Sequence, residues 1–272
     1  MAPAAGGLPN AQRKLPVTQI TITALDGIPQ VRPGDDLAGL LIAALQKKTM
    51  APCNRDILVV TSKIVSKAEG RYLDLASVEP SARALELARI TNKDPRLVEA
   101  ILSESTEVIR AKPTVLIVAT RHGLILANAG VDQSNLAAED RCRRVLLLPE
   151  EPDASAARIK ARIDAHFGVD IGVIVSDSAG RPWRLGTVGI AIGAAGVPAL
   201  WDRRGEKDLA GRPLEVTEVG FADAVATAAV LAMGEAAEGC PAALVRGVDW
   251  GTRAQPRPAT ALVRPKSEDL FR

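Results

Sequence analysis

The chain has 272 residues, 47% of them hydrophobic, and a formal net charge of +2. That length buries a large core, as one large domain or two interleaved ones, and the near-neutral balance gives no warrant for binding nucleic acid or an anionic membrane. Three widely spaced cysteines (Cys53, Cys142, Cys240) and two histidines (His122, His166) fit neither a disulfide framework nor a histidine-rich zinc site, so a bound metal is expected to take oxygen ligands, as Mg²⁺ or Mn²⁺ do.

Residues 1–15 (MAPAAGGLPNAQRKL) lack the apolar stretch of a secretion signal and read as a mobile tail. The longest nearly apolar run, 188–201, is too short and too rich in glycine to span a bilayer; a soluble, cytoplasmic protein is expected. Val17, Ile20, Ile22 and Leu25 mark a first strand. The loop GIPQVRPGDD (27–36) ends in Asp35 and Asp36, either of which can cap a helix over 37–48 with Leu37, Leu40, Leu41, Ala44 and Leu45 on one face. DILVVT (56–61) reads as a buried strand running into SKIVSKAEGR (62–71). Helices are predicted over 79–91, with Pro80 in the first turn, and from Asp94, with Pro95 placed likewise. Strands follow at 107–110, 114–120 and 123–127, then a polar turn, NAGVDQSN (128–135). A strand over 145–148 leads to an amphipathic helix over 153–167, opened by Asp153 as its cap.

The stretch GVIVSDSAGRPWRLGTVGIAIGAAGVPALWDRRG (172–205) stands apart. Residues 173–175 read as a strand ending in an acidic turn, Ser176-Asp177-Ser178. A basic, aromatic loop follows (Arg181, Pro182, Trp183, Arg184), and Gly189, Gly193 and Gly196 interrupt the next apolar run, which predicts close backbone approach. A charged turn at 202–205, an Ala-rich helix over 221–235 and a strand over 242–248 come next, while residues 249–272 show no core pattern. Strands and helices alternate irregularly, which predicts an α+β (mixed α/β) fold.

No GxxxxGK(S/T) loop and no GxGxxG fingerprint occurs, so a nucleotide would need another cradle. Lys63 and Lys67 share one face if their segment is helical; they suit a phosphate grip or a solvated surface equally. Asp132 and Asp177 each follow a β-type run in a small polar turn, and Glu235 sits near a helix end. Together they could hold a divalent cation, though capping alone would explain each singly. His122 fits a general base or, more simply, a structural histidine. Ser62, Ser134 and Ser178 have no activating base nearby in sequence, which argues against covalent serine catalysis.

Seven stretches in one order, GIPQVRPGDDL, DILVVTSKIVSKAEGR, HGLILANAGVDQSN, VIVSDSAGRPWRLGTVGIAIGAAG, DRRGEKDLAGRPL, ADAVATAA and MGEAAEG, resemble the coenzyme F420:L-glutamate ligases, and the final EDLFR is similar too. The resemblance implies a GTP-dependent ligase that adds L-glutamate to coenzyme F420-0, and further γ-linked glutamates, through an acyl phosphate, giving GDP and phosphate. It also implies two divalent ions (Mg²⁺ or Mn²⁺), K⁺ as activator, and an intertwined homodimer with interleaved subdomains. The ligase domain is then expected over 16–250, with 251–272 packed on it as an extension. A fused nitroreductase-like domain, found in some bacterial relatives, has no counterpart here, so the free-standing form is expected.

Carried onto this sequence, the resemblance puts GTP contacts at Gly27, Ile28, Pro29, Gln30, Ser62, Lys67, Asn135, Met233, Gly234, Glu235, Ala236, Ala237, Glu238, Gly239 and Cys240, with Lys63 close by. It puts metal ligands at Asp132 and Asp177 for one ion, and at Ser178 and Glu235 for a second; Asp132, Asp177 and Lys67 would carry the chemistry. Ser178 stands where Thr is also familiar, and Glu235 where Gln can occur. Arg181 and Arg184 are expected to meet anionic groups of F420-0 or glutamate, and Trp183 to stack on the deazaflavin or pack at the dimer interface. Two rival readings keep the scaffold: an amide ligase acting on another carboxylate, and a non-catalytic nucleotide- or deazaflavin-binding protein. Retention of the acids and Lys67 together argues for catalysis.

Overall fold

The computed structural model describes residues 19–134, 143–250 and 254–270. The expected tail over 1–15, Val17 of the first strand, and Asn135 lie outside these. Strand β1 (Thr21–Leu25), helix α1 (Leu37–Lys47), β2 (Ile57–Thr61) and the short helix α2 (Ser62–Ala68) follow the predicted order. Asp36 caps α1, accepting from the Gly39 amide at 3.1 Å, and Leu37, Leu41, Ala44 and Leu45 are buried as the spacing requires, with Leu40 only half-buried.

A second unit comes next: β3 (Tyr72–Asp74), α3 (Ala82–Thr91), α4 (Pro95–Ser103), β4 (Ser105–Lys112), β5 (Val115–Thr120), β6 (Ile125–Ala127) and β7 (Arg144–Leu146). Leu87, Val98, Ile101, Leu116, Val118 and Val145 form its separate core. Helix α3 starts later than predicted because Ser81 accepts from the Ala84 amide at 3.2 Å, which leaves Pro80 outside the helix. Helix α4 begins at Pro95 with Asp94 as its cap, as expected.

The chain then returns through α5 (Pro152–Phe167) to β8 (Gly172–Arg181), β9 (Arg184–Ala195), β10 (Leu200–Asp202), β11 (Glu218–Gly220), α6 (Phe221–Met233) and β12 (Ala242–Arg246). The main sheet has the order β1-β12-β2-β8-β9; β2 and β8 are parallel and the other neighbours antiparallel. This mixed sheet accords with the predicted α+β class. Alternation along the strands serves two cores. Leu58, Val60, Val173, Val175 and Leu244 face α1, α2 and α5, while Ile57, Val59, Ile174, Ala243 and Val245 pack with α6 and Trp250. The glycines of β9 permit this: a methyl group at Gly189 would lie 2.7 Å from the Ala226 carbonyl oxygen of α6, and one at Gly193 would overlap the Pro152 carbonyl of α5. The predicted close approach is therefore of helices on sheet. No described helix is long and apolar enough to cross a membrane.

Asp153 does not cap α5, whose N-cap is Glu151 with no side-chain bond. Its carboxylate instead accepts from the Ala194 amide of β9 at 2.7 Å and the Ala259 amide at 2.8 Å, fastening the start of α5 to the sheet and to the carboxyl-terminal segment. Asp153→Ala leaves two buried amides without their acceptor, so a loss of about 2–4 kcal/mol is expected. Urea unfolding would measure that loss, and timed proteolysis should show earlier cleavage within 254–270. An unchanged midpoint and unchanged cleavage would remove this role.

Candidate active site

Strand polarity decides which loops meet. Leu25, Ala242, Val60 and Val175 lie level across the sheet. Strands β1, β2 and β8 run one way and β12 the other. The loop after β1, helix α2 after β2, the far half of β8 and the segment before β12 therefore converge at one end, where parallel strands of mixed sheets commonly present ligand sites. The Thr61 amide donates to the Pro241 carbonyl at 2.9 Å, tying two of these segments together. The second unit adds Asp132, whose backbone exchanges hydrogen bonds with Leu146 at 2.9 and 2.8 Å. The result is a cleft of about 690 Å³, a size that suits a nucleotide.

Its walls bring together Ile28, Pro29, Gln30, Ser62, Lys63, Lys67, Asp132, Asp177, Ser178 and the whole run from Met233 to Cys240. Gly27 is not a wall residue; at φ 72° it turns the chain beside Lys47. Lys63 and Lys67, one helical turn apart on α2, both reach the cleft.

Asp177 does not lie in a turn. Strand β8 continues past it, with Asp177 opposite Ile190 and Ser178 opposite Gly189 of β9. Serine and aspartate suggest a turn when read alone, but pairing with the Gly-rich partner overrides that preference. The consequence is that successive residues point to opposite faces. Asp177 turns toward α2 and accepts from the Ser62 hydroxyl at 2.9 Å, whereas Ser178 donates to Glu235 Oε2 at 2.6 Å. Glu235 itself has left the helix predicted to contain it: α6 ends at Met233, and Gly234 (φ 78°, ψ 173°) redirects the chain.

The charges are unevenly sheltered. Burial, with the neighbouring charge of Asp132 adding to it, pushes Asp177 up to about 6 against the opposing hydrogen bond from Ser62. Burial also works against ionised Asp132, but the Lys63 ammonium at 2.6 Å and the Ser134 amide at 2.6 Å hold its carboxyl below the ordinary range. Lys67 is buried, and desolvation followed by repulsion from Lys63 lowers it.

Other candidates fall elsewhere. His122 Nε2 lies 2.9 Å from the Glu150 carbonyl oxygen, away from the cleft wall, which fits the structural reading. No described histidine lines the cleft, so the described residues build no Ser-His-Asp arrangement there. Arg181, Trp183 and Arg184 form the β8–β9 hairpin tip, where Trp183 is 80% exposed with φ 58° and Arg181 donates to the Leu185 carbonyl at 3.1 Å. Ser134, read before only as an unactivated serine, emerges as a partner of Asp132 and of Lys63, the latter at 2.7 Å. The D-x-S spacing of an Asx-type turn was the signal for it.

Among the described residues no three His, Cys, Asp or Glu side chains close into a cage. The acids instead stand as Asp132 with Asp177, and Glu235 with the Ser178 hydroxyl. Both pairs offer only oxygen, and Asp132 and Asp177 are close enough for the charge of one to perturb the other. Such partial, hard donor sets fit divalent ions that complete their shell with water and phosphate oxygens.

A model of the F420-0:Gamma-glutamyl ligase family matches residues 27–247. The chain is 45% identical over 253 residues to the coenzyme F420:L-glutamate ligase of Methanothermobacter thermautotrophicus, covering 93% of this chain and 99% of the relative. It is 46% identical to that of Methanopyrus kandleri (89% and 94% covered) and 44% identical to that of Haloarcula marismortui (92% and 95% covered). With most of its length matched in this way, the chain is a ligase and belongs to the F420-0:gamma-glutamyl ligase family.

Proposed function

We propose that this protein uses GTP to join L-glutamate to the lactyl carboxylate of coenzyme F420-0, and then adds further glutamates through γ-linkages. The observation that carries this reading is the single cleft in which two lysines, two carboxylates from different units and the 233–240 segment converge. A carboxylate is a poor acyl donor, because its leaving group would be oxide. Transfer of the γ-phosphoryl group gives an acyl phosphate and GDP. The glutamate amine then forms the C–N bond, the C–O bond to phosphate breaks, and phosphate leaves. Little covalent work falls to the protein; it positions the reactants and balances charge.

Asp132 and Asp177 would hold one divalent ion, and Ser178 and Glu235 a second; bound Mg²⁺ or Mn²⁺ supplies neutralisation of phosphate charge. K⁺ is assigned as a further activator. Buried Lys67, on the wall beside Asp132, adds fixed positive charge for the phosphates. Ile28, Pro29, Gln30, Ser62 and the 233–240 segment frame the nucleotide, and Asn135 is retained as a contact. We place the enzyme in the cytoplasm as a homodimer. Support for self-association comes from Trp183, Leu185, Leu209 and Val216, large apolar side chains exposed on the hairpin tip and the loop after β10.

GDP release measured with GTP, Mn²⁺, F420-0 and L-glutamate should require all four components, and the product mass should rise by whole glutamate residues. Turnover that proceeds without F420-0, or prefers another carboxylic acid, would defeat this reading in favour of a ligase with a different acceptor.

A further inference from the structure

Both carboxylate oxygens of Asp132 are already engaged. Oδ1 accepts from the Ser134 amide at 2.6 Å; Oδ2 accepts from the Ser134 hydroxyl at 3.0 Å and the Lys63 ammonium at 2.6 Å. Lys63 also donates to the Ser134 hydroxyl oxygen at 2.7 Å. A cation arriving at Asp132 therefore meets one already in place. The two groups that hold Asp132 differ in how they can yield. Ser134 sits two residues from the aspartate in the same turn, whereas Lys63 reaches across from α2 on a long flexible stem that is 26% exposed. Only Lys63 can withdraw without rebuilding the turn.

We infer that Lys63 holds the place of a divalent ion at Asp132 and exchanges with it. In the metal-free protein its ammonium balances the carboxylate. When a divalent ion binds, that ammonium is freed into the same cleft wall as Lys67, one helical turn away, where two cations then face the nucleotide phosphates. No proton is transferred in the exchange; one cation replaces another. Metal and nucleotide thus help each other: the ion releases a lysine for phosphate, and phosphate retains the lysine away from Asp132. By linkage, the gain is reciprocal.

This inference rests on the metal-assisted reading above, and the two can fail separately. The probe is Mn²⁺ itself, followed by the electron paramagnetic resonance of the free ion in titrations of the full chain, with and without GTP. Lys63→Gln should bind Mn²⁺ alone more tightly than the wild type, by about fivefold, the scale of a partly exposed ion pair. The same variant should bind GTP more weakly, and Mn²⁺ should then improve GTP binding less than it does for the wild type. Lys63→Arg, which keeps a cation beside Asp132, should bind Mn²⁺ alone as the wild type does. Lys63→Met should repeat the glutamine result. Unchanged Mn²⁺ affinity in Lys63→Gln and Lys63→Met would reduce Lys63 to a phosphate contact, and weaker affinity would make it a residue that orients Asp132; either overturns the exchange. If the wild type with GTP bound no Mn²⁺ at all, the metal-assisted reading itself would fall.

Discussion

Asp177→Asn is expected to make the metal-free protein more stable while removing its ligase activity. The ordinary carboxylate value is 3.8 and burial lifts Asp177 to about 6. The folded chain therefore keeps a proton between those values that the unfolded chain has already released. Stability from this group is complete below the lower value and is lost as pH rises through the upper one. Near neutral pH the ionised, half-buried side chain then costs about 1–3 kcal/mol. Asparagine keeps the shape and can still accept from Ser62, yet cannot ionise. In chelator, its thermal midpoint should exceed that of the wild type by a few degrees near neutral pH, and the gap should close below about pH 4. The same change takes a charged oxygen from the cleft wall, and on the proposed mechanism GDP formation should fall on the order of 10³-fold. A variant less stable than the wild type near neutral pH, or one that still turns over at a comparable rate, would contradict this account.

Gly193→Ala should be among the most damaging small substitutions in the chain. A methyl group there would overlap the Pro152 carbonyl and come within 2.9 Å of the Asp153 amide, both backbone groups that open α5. Neither can rotate aside as a side chain would, so α5 would have to lift from β9 and disturb the bonds that Asp153 makes to Ala194 and Ala259. A loss of about 3–5 kcal/mol is expected, beyond ordinary overpacking. Gly180→Ala is the control: it lies in β8, is exposed, and its added methyl would meet nothing within 4 Å. That change should move the urea midpoint little, by about 0.5 kcal/mol or less. Similar midpoints for the two variants would show that the helix does not rest on the glycine.

Different parts of the molecule were legible to different degrees. Helix α1, strand β2 and helix α4 could be read directly, because apolar spacing, a capping Asp and a first-turn Pro all agree with the final packing. The reading failed where tertiary contacts overrode local preference. Asp153 looks like a cap but reaches across to β9, and Ser176-Asp177-Ser178 looks like a turn but continues a ten-residue strand. The β10–β11 ribbon was missed because its strands have three residues each, too few to show any period. At the site, the acids and lysines stand out by residue type, and the family resemblance orders them. Their partnerships do not: Ser62 meets Asp177 across 115 residues, and Ser178 meets Glu235 across 57. Spacing along the chain carries no trace of such pairs.

The placement of Asp177 and Ser178 on opposite faces of β8 sets a rule of parity for this chain. A single residue inserted or removed between Val175 and Asp177 would exchange the two faces. The acid would then turn toward α6 and the hydroxyl toward Ser62, although the composition of the strand would hardly change. Two residues added together would restore the facing but move it along the strand. Length changes are therefore poorly tolerated here even where substitutions are mild. In a library of one-residue deletions, those on the sheet side of Asp177 in β8 should lose the cleft's function, whereas Gly180→Ala, which changes no facing and meets nothing within 4 Å, should keep it.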